Sequence, residues 1–111
     1  MYYRYEVRMS DNEPWRDVFT VFDGYERNRV LKVLPEPNWN ANHPEVETEW
    51  WMTQYAYERY GKVFDEIIGE MYNFHPKKEM ERMKFRLHTV ERPDNIVFES
   101  RTQCLSKVST A

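Results

Sequence analysis

Three histidines, one cysteine and a crowd of carboxylates are the residues in this chain that are equipped for chemistry. His43 is followed by Glu45 and Glu47, a set able to hold a cation, but none of the histidines has a ligand neighbour at the spacings zinc sites use. Cys104 becomes a nucleophile only beside a base or a positive field, and His88, expected in a partner strand, is the candidate for that part. A buried, inert thiol is the commoner arrangement. Glu66 and Glu70 stand one helical turn apart with Asp65 adjacent; paired carboxylates do acid–base work only in a pocket that shifts their pKa values, and a solvated helix face accounts for them otherwise. Glycine occurs only at 24, 61 and 69, and no phosphate-loop, dinucleotide, paired-CxxC or HExxH motif is present. That excludes the usual backbone cradle for a nucleotide. No catalytic residue, metal site or cofactor is therefore assigned from the sequence.

Binding chemistry is better represented. Tyr2, Arg4, Glu6 and Arg8 alternate along one face of the opening segment, and Trp39 and the Trp50-Trp51 pair follow. Aromatic and arginine side chains are the usual anchors of protein interfaces. The candidate partner-binding residues are Tyr2, Arg4, Arg8 and Trp39, together with Glu45 and Glu47 as mimics of phosphate charge toward a nucleic-acid enzyme. Lys77, Lys78, Arg82, Lys84, Arg86 and Arg92 form a basic cluster that nucleic acid can use. Glu79, Glu81 and Glu91 interrupt it, and the chain as a whole carries a net charge of -3. Residues 33–76 hold two bases against eight acids, a local balance of -6. A protein partner is thus favoured over nucleic acid, and the oligomeric state is left open.

The elements that must position these groups follow from periodicity. Tyr2 to Met9 reads as a half-buried strand with Tyr3, Tyr5, Val7 and Met9 inward. Ser10 and Glu13 have capping-box spacing ahead of Pro14, so Trp15, Val18, Phe19 and Phe22 are expected on a short helix, with a strand as the competing reading. Asp23-Gly24 reads as a stop, and Tyr25 to Leu34 as a second short helix. Residues 35–47, with three prolines and three asparagines, are expected to be irregular. From Thr53, a plausible N-cap, the residues Tyr57, Tyr60, Phe64, Ile67, Ile68 and Met71 recur at steps of three and four, an amphipathic helix that His75-Pro76 ends. Lys77 to Met83 is a charged link. Lys84 to Val90 alternates, Glu91–Asn95 is a turn, and Ile96 to Leu105 is extended, so the last two strands form a hairpin. The tail 107–111 is expected to fray.

The fold class is accordingly α+β: a small antiparallel sheet of about three strands, the N-terminal strand plus a C-terminal hairpin, packed by one long amphipathic helix and two short ones. With 111 residues, one domain is expected. A mean hydropathy of -0.91 and 32% charged residues lean toward disorder. Leu, Ile, Val and Phe nevertheless number 23, and four Trp, eight Tyr and six Met add large buried area, so the chain is read as folded. A lone cysteine, no apolar leader and no run of about 18 apolar residues make the cytoplasm the expected address, with no membrane span.

In its Tyr2–Glu6 opening, Y-Y-R-Y-E, and its Thr102–Cys104 segment, T-Q-C, the chain resembles a family of short, uncharacterised proteins of bacteria and their phages. The resemblance implies no activity. An early strand bearing Arg4 and a late strand bearing Glu99 is also similar to the mono-ADP-ribosyltransferases, which implies an arginine holding NAD and a late glutamate stabilising oxocarbenium-like charge. Here Arg101 stands where the second acid of that family's pair is found, and the Ser-Thr-Ser strand is lacking. The leading expectation is a small non-catalytic protein-interaction domain, an inhibitor or adaptor of a mobile element. An NAD-using transferase and nucleic-acid binding through Lys84 and Arg86 are the alternatives.

Overall fold

The computed structural model describes residues 1–108. Along the chain run β1 (Tyr2–Arg8), β2 (Arg16–Asp17), a 3₁₀ turn (Val18–Thr20), α1 (Gly24–Leu31) and α2 (Trp39–Asn42). There follow β3 (Thr48–Thr53), α3 (Gln54–Phe74), α4 (Lys77–Arg82), β4 (Lys84–Val90), β5 (Ile96–Glu99) and β6 (Gln103–Lys107). All strand pairings are antiparallel. β1 is central, with β4 along one side from Tyr2 opposite Val90 to Arg8 opposite Lys84. On its other side the first half of β1 meets β3 and the second half meets β2. The sheet continues from β3 to β6 to β5.

Alternation in β1 sends Tyr3, Tyr5 and Val7 toward α3. Tyr3 stacks on Tyr57 with ring centroids 4.0 Å apart, and Tyr5 on Phe64 at 4.7 Å. The Tyr5 hydroxyl then shares its one proton between the Gly61 carbonyl and Asp65, each at 3.1 Å. The long helix starts where its cap predicts: Thr53 Oγ accepts from the Ala56 amide at 3.2 Å. Its apolar stripe buries Phe64, Ile67 and Met71 against Phe22, Val30, Leu34, Met52 and Met80. Burying such side chains contributes roughly 1.5–3 kcal/mol each, which is what holds one face of the helix to the sheet.

The two helical glycines of α3 make a paired prediction. A Cβ on Gly61 would stand 2.8 Å from the Tyr57 ring, which is itself clamped against Tyr3, whereas nothing lies within 4 Å of one on exposed Gly69. Gly69→Ala is expected to raise stability by about 0.5–1 kcal/mol through helix propensity. Gly61→Ala is expected to lower it by about 1–3 kcal/mol through overpacking. Urea unfolding of the two variants reads the opposite signs.

Several expectations are corrected. The sheet has six strands, not about three, because Trp50-Trp51 lies in β3, Arg16-Asp17 pairs with Val7 and Glu6, and the closing run divides into β5 and β6. The segment after Pro14 is therefore β2 and a 3₁₀ turn rather than a helix, with Asp17 accepting from the Phe19 amide at 2.9 Å. Ser10 closes a turn, its carbonyl accepting from the Glu13 amide. Asp23 starts α1 instead of stopping a helix. The expected hairpin is absent: β4 pairs with β1, and Glu91–Asn95 carries the chain to the opposite edge of the sheet. Ser100 breaks the final run, its Oγ accepting from the Thr102 and Gln103 amides, so that β5 and β6 fold on each other. Periodicity reveals a strand but is silent on which strand lies beside it. Lys77–Arg82 is helical, anchored by buried Met80, in a piece too short to display a period. Within 35–47, α2 carries Trp39 stacked on His43 at 4.0 Å. Lys107 and Val108 do not fray, since their amides donate to the Asn95 and Glu47 carbonyls. The rest of the predicted tail, 109–111, lies outside the described residues. Among the described residues no helix is long and apolar enough to cross a membrane.

Candidate functional site

A short helix and the end of a long one build a cleft from residues far apart in sequence. Asp23 is the N-cap of α1, its Oδ1 accepting from the Tyr25 and Glu26 amides at 2.9 and 3.1 Å. Asp-Gly-Tyr-Glu has capping-box spacing, in which the glutamate ordinarily turns back to the cap. Here Glu26 turns inward and is only 6% exposed. His75, the C-cap of α3, meets it with Nε2 3.2 Å from Glu26 Oε1, and Pro76 keeps the chain from continuing the helix. The other histidine nitrogen, Nδ1, faces Glu79 at 3.8 Å.

Burial, followed by the hydrogen bond to Asp23, raises the Glu26 carboxyl above its ordinary range. The same hydrogen bond lowers Asp23 below its own. The two carboxyls are thus shifted in opposite directions, Glu26 upward by its burial and Asp23 downward, while His75 pulls Glu26 back. Arg29 cannot relieve them, because it is committed to Glu70 and, at 3.6 Å, to Glu66. These contacts also show that Glu66 and Glu70 are more than a solvated face.

Above this polar corner the cleft, about 360 Å³, is floored by Ile67 and Met71 and rimmed by Tyr25 and Phe74. Phe74 is 80% exposed and Tyr25 66%. Large rings left this far in water beside an apolar floor are the feature a binding surface presents.

The sheet face away from α3 carries the residues singled out from sequence, in a different state. Arg4 is 7% exposed and is bound to Glu6 at 3.0 Å, Asp17 at 3.4 Å and the Trp50 carbonyl at 3.3 Å. It is an internal residue where the alternation suggested an open face: Glu6 and Asp17 give it a partner inside. Arg86 also reaches Glu6 at 2.8 Å, and His88 Nδ1 lies 3.3 Å from the same oxygen but off the line of a hydrogen bond. Tyr2 donates to Glu99, and Arg92 bridges to both. Arg8 pairs with Asp11, and the Arg8 and Arg86 guanidinium groups both lie over the Trp15 ring, 4.6 and 4.3 Å from its centroid. A more open cleft of about 560 Å³ on this side is lined by Trp51, His88, Arg92 and Lys107.

Glu45 and Glu47 are exposed. Among the described residues, no hydrogen bond, ion pair or ring stack joins Trp39, Glu45 or Glu47 to Tyr2, Arg4 or Arg8. Cys104 is buried and its thiol is pushed up to about 11, chiefly by burial. Its neighbours in register are Trp51 and Glu99, while β1 and β3 separate it from His88 on β4, so the expected base is not beside it. Sequence reasoning missed Asp23, Glu26 and His75. The capping-box spacing flags the first two, but nothing local connects them to a histidine 49 residues on. No protein family, no curated protein and no solved structure matches the chain.

Proposed function

We propose that the chain is a non-catalytic protein-interaction domain that docks a partner protein on the aromatic rim between α1 and the end of α3. The observation that carries this reading is the exposure of Phe74 and Tyr25 over a floor of Ile67 and Met71. Each ring adds a large apolar area at the cost of ordering only two torsions, which makes it an efficient anchor. The partner segment presents an apolar side chain that fits between the two rings. Acids outnumber bases across residues 33–76, so the partner's surrounding surface is basic, as on proteins that handle nucleic acid.

The alternatives gain less. Lys84 and Arg86, the cations nucleic acid would need, are paired with Asp11 at 2.7 Å and Glu6 at 2.8 Å. Arg4, which would hold NAD, has its donors occupied within the fold.

The test is affinity capture followed by a binding assay against the isolated partner. Tyr25→Ser with Phe74→Ser is expected to weaken binding at least about a hundredfold, as hot-spot removal does. The urea midpoint should barely move, because neither ring is buried. Arg92→Ala, on the opposite sheet face, is expected to leave binding intact. Capture that survives the rim substitutions and fails with Arg92→Ala moves the interface to the sheet and removes the proposal.

A further inference from the structure

The geometry points to a divalent transition-metal site formed by Asp23, Glu26 and His75, a property of the chain alone that does not depend on the partner reading. One donor atom from each residue lies within 4.8 Å of the other two. Between His75 Nε2 and Glu26 Oε1 the separation is 3.2 Å, close to the edge of a coordination polyhedron with metal–ligand bonds of about 2.0–2.2 Å.

The surroundings fit a cation better than they fit the residues alone. Glu26 is more than nine-tenths buried, beside a second carboxylate, and its only ion-pair partner among the described residues is His75. A buried carboxylate normally has a base and several amide donors; the amides at this corner serve Asp23 Oδ1, and His75 is the one base at Glu26. Glu79 stands on the other side of the ring, 3.8 Å from His75 Nδ1, the side on which metal-bound imidazoles commonly have a carboxylate. Two carboxylates and one imidazole suit zinc or manganese rather than calcium or magnesium, which take oxygen donors. Three protein ligands are one fewer than a tetrahedral site takes, and all three residues line the cleft.

The test is calorimetric titration of the full chain with zinc chloride near neutral pH, with cobalt(II) absorption reporting the ligand set. A single saturable site with Kd of roughly 1–10 µM is expected. Asp23→Asn keeps the helix cap and removes a charged ligand; it and Glu26→Gln are each expected to weaken binding at least about tenfold. His43→Ala and His88→Ala, the other two histidines, should leave it unchanged. Should a variant fail to fold, the native chain decides the matter. Zinc must shift the imidazole nitrogen resonances of His75 and not those of His43 or His88. Absence of saturable binding, or zinc shifts confined to His43 or His88, overturns the site.

Discussion

Arg4→Met is expected to cost about 3–5 kcal/mol at neutral pH, the range for removing one member of a buried ion pair. The methionine fills the space. What it cannot do is answer Glu6, 6% exposed, and the Asp17 carboxylate, already held above its ordinary range chiefly by burial and pulled back by Arg4. It also leaves the Trp50 carbonyl without its Arg4 donor. Arg86 stays on Glu6, so the loss belongs at the lower end of the range. A pH dependence comes with it. In the variant Asp17 has a folded-state pKa further above the unfolded value, so protonation favours the native state and the penalty shrinks as pH falls through the carboxylate range. Arg4→Met with Glu6→Leu removes both members of the pair and is expected to cost less than the two single changes summed. Urea unfolding at several pH values measures all of this. A cost below about 1 kcal/mol for Arg4→Met alone, with partner binding abolished, would return Arg4 to the surface role its sequence position implied.

That contrast explains how much of the site was legible. Period-two alternation placed Arg4, Glu6 and Arg8 on the face away from the helix, and they are there. Whether a polar face meets water depends on what the neighbouring strands carry, and β2, β3 and β4 bring Asp17, Trp51, His88 and Arg86 over it. None of those pairings is encoded near residue 4. The long helix, by contrast, was readable almost to the residue, because its cap, stripe and terminating proline are all local signals. Strand order, the short strand β2 and the turn at Ser100 depend on long-range partners and were not. The cleft at Asp23, Glu26 and His75 fails to show in sequence for the same reason, since each of its residues has a sufficient local explanation as a cap.

The proposed docking surface and the core sit on one helix, ten residues apart, and they must respond to truncation in opposite ways. Phe64 is 1% exposed and is ringed by aromatics: Tyr5 stacks at 4.7 Å, Phe19 lies edge-on at 6.2 Å, and Phe22 and Trp50 are at 6.3 Å. Phe64→Ala is therefore expected to cost about 3–5 kcal/mol, since rigid rings cannot collapse into the space it leaves. At the low end of the usual total of about 5–15 kcal/mol, that is most of the stability. If the alanine variant does not fold, Phe64→Leu, with an expected cost of about 1–2 kcal/mol, carries the measurement. Phe74→Ala, with four-fifths of its ring surface in water, should stay within about 0.5 kcal/mol of the parent while weakening the partner. A Phe74 that proved as costly as Phe64 would be a packing residue, and the rim would lose its claim to be a surface kept for binding.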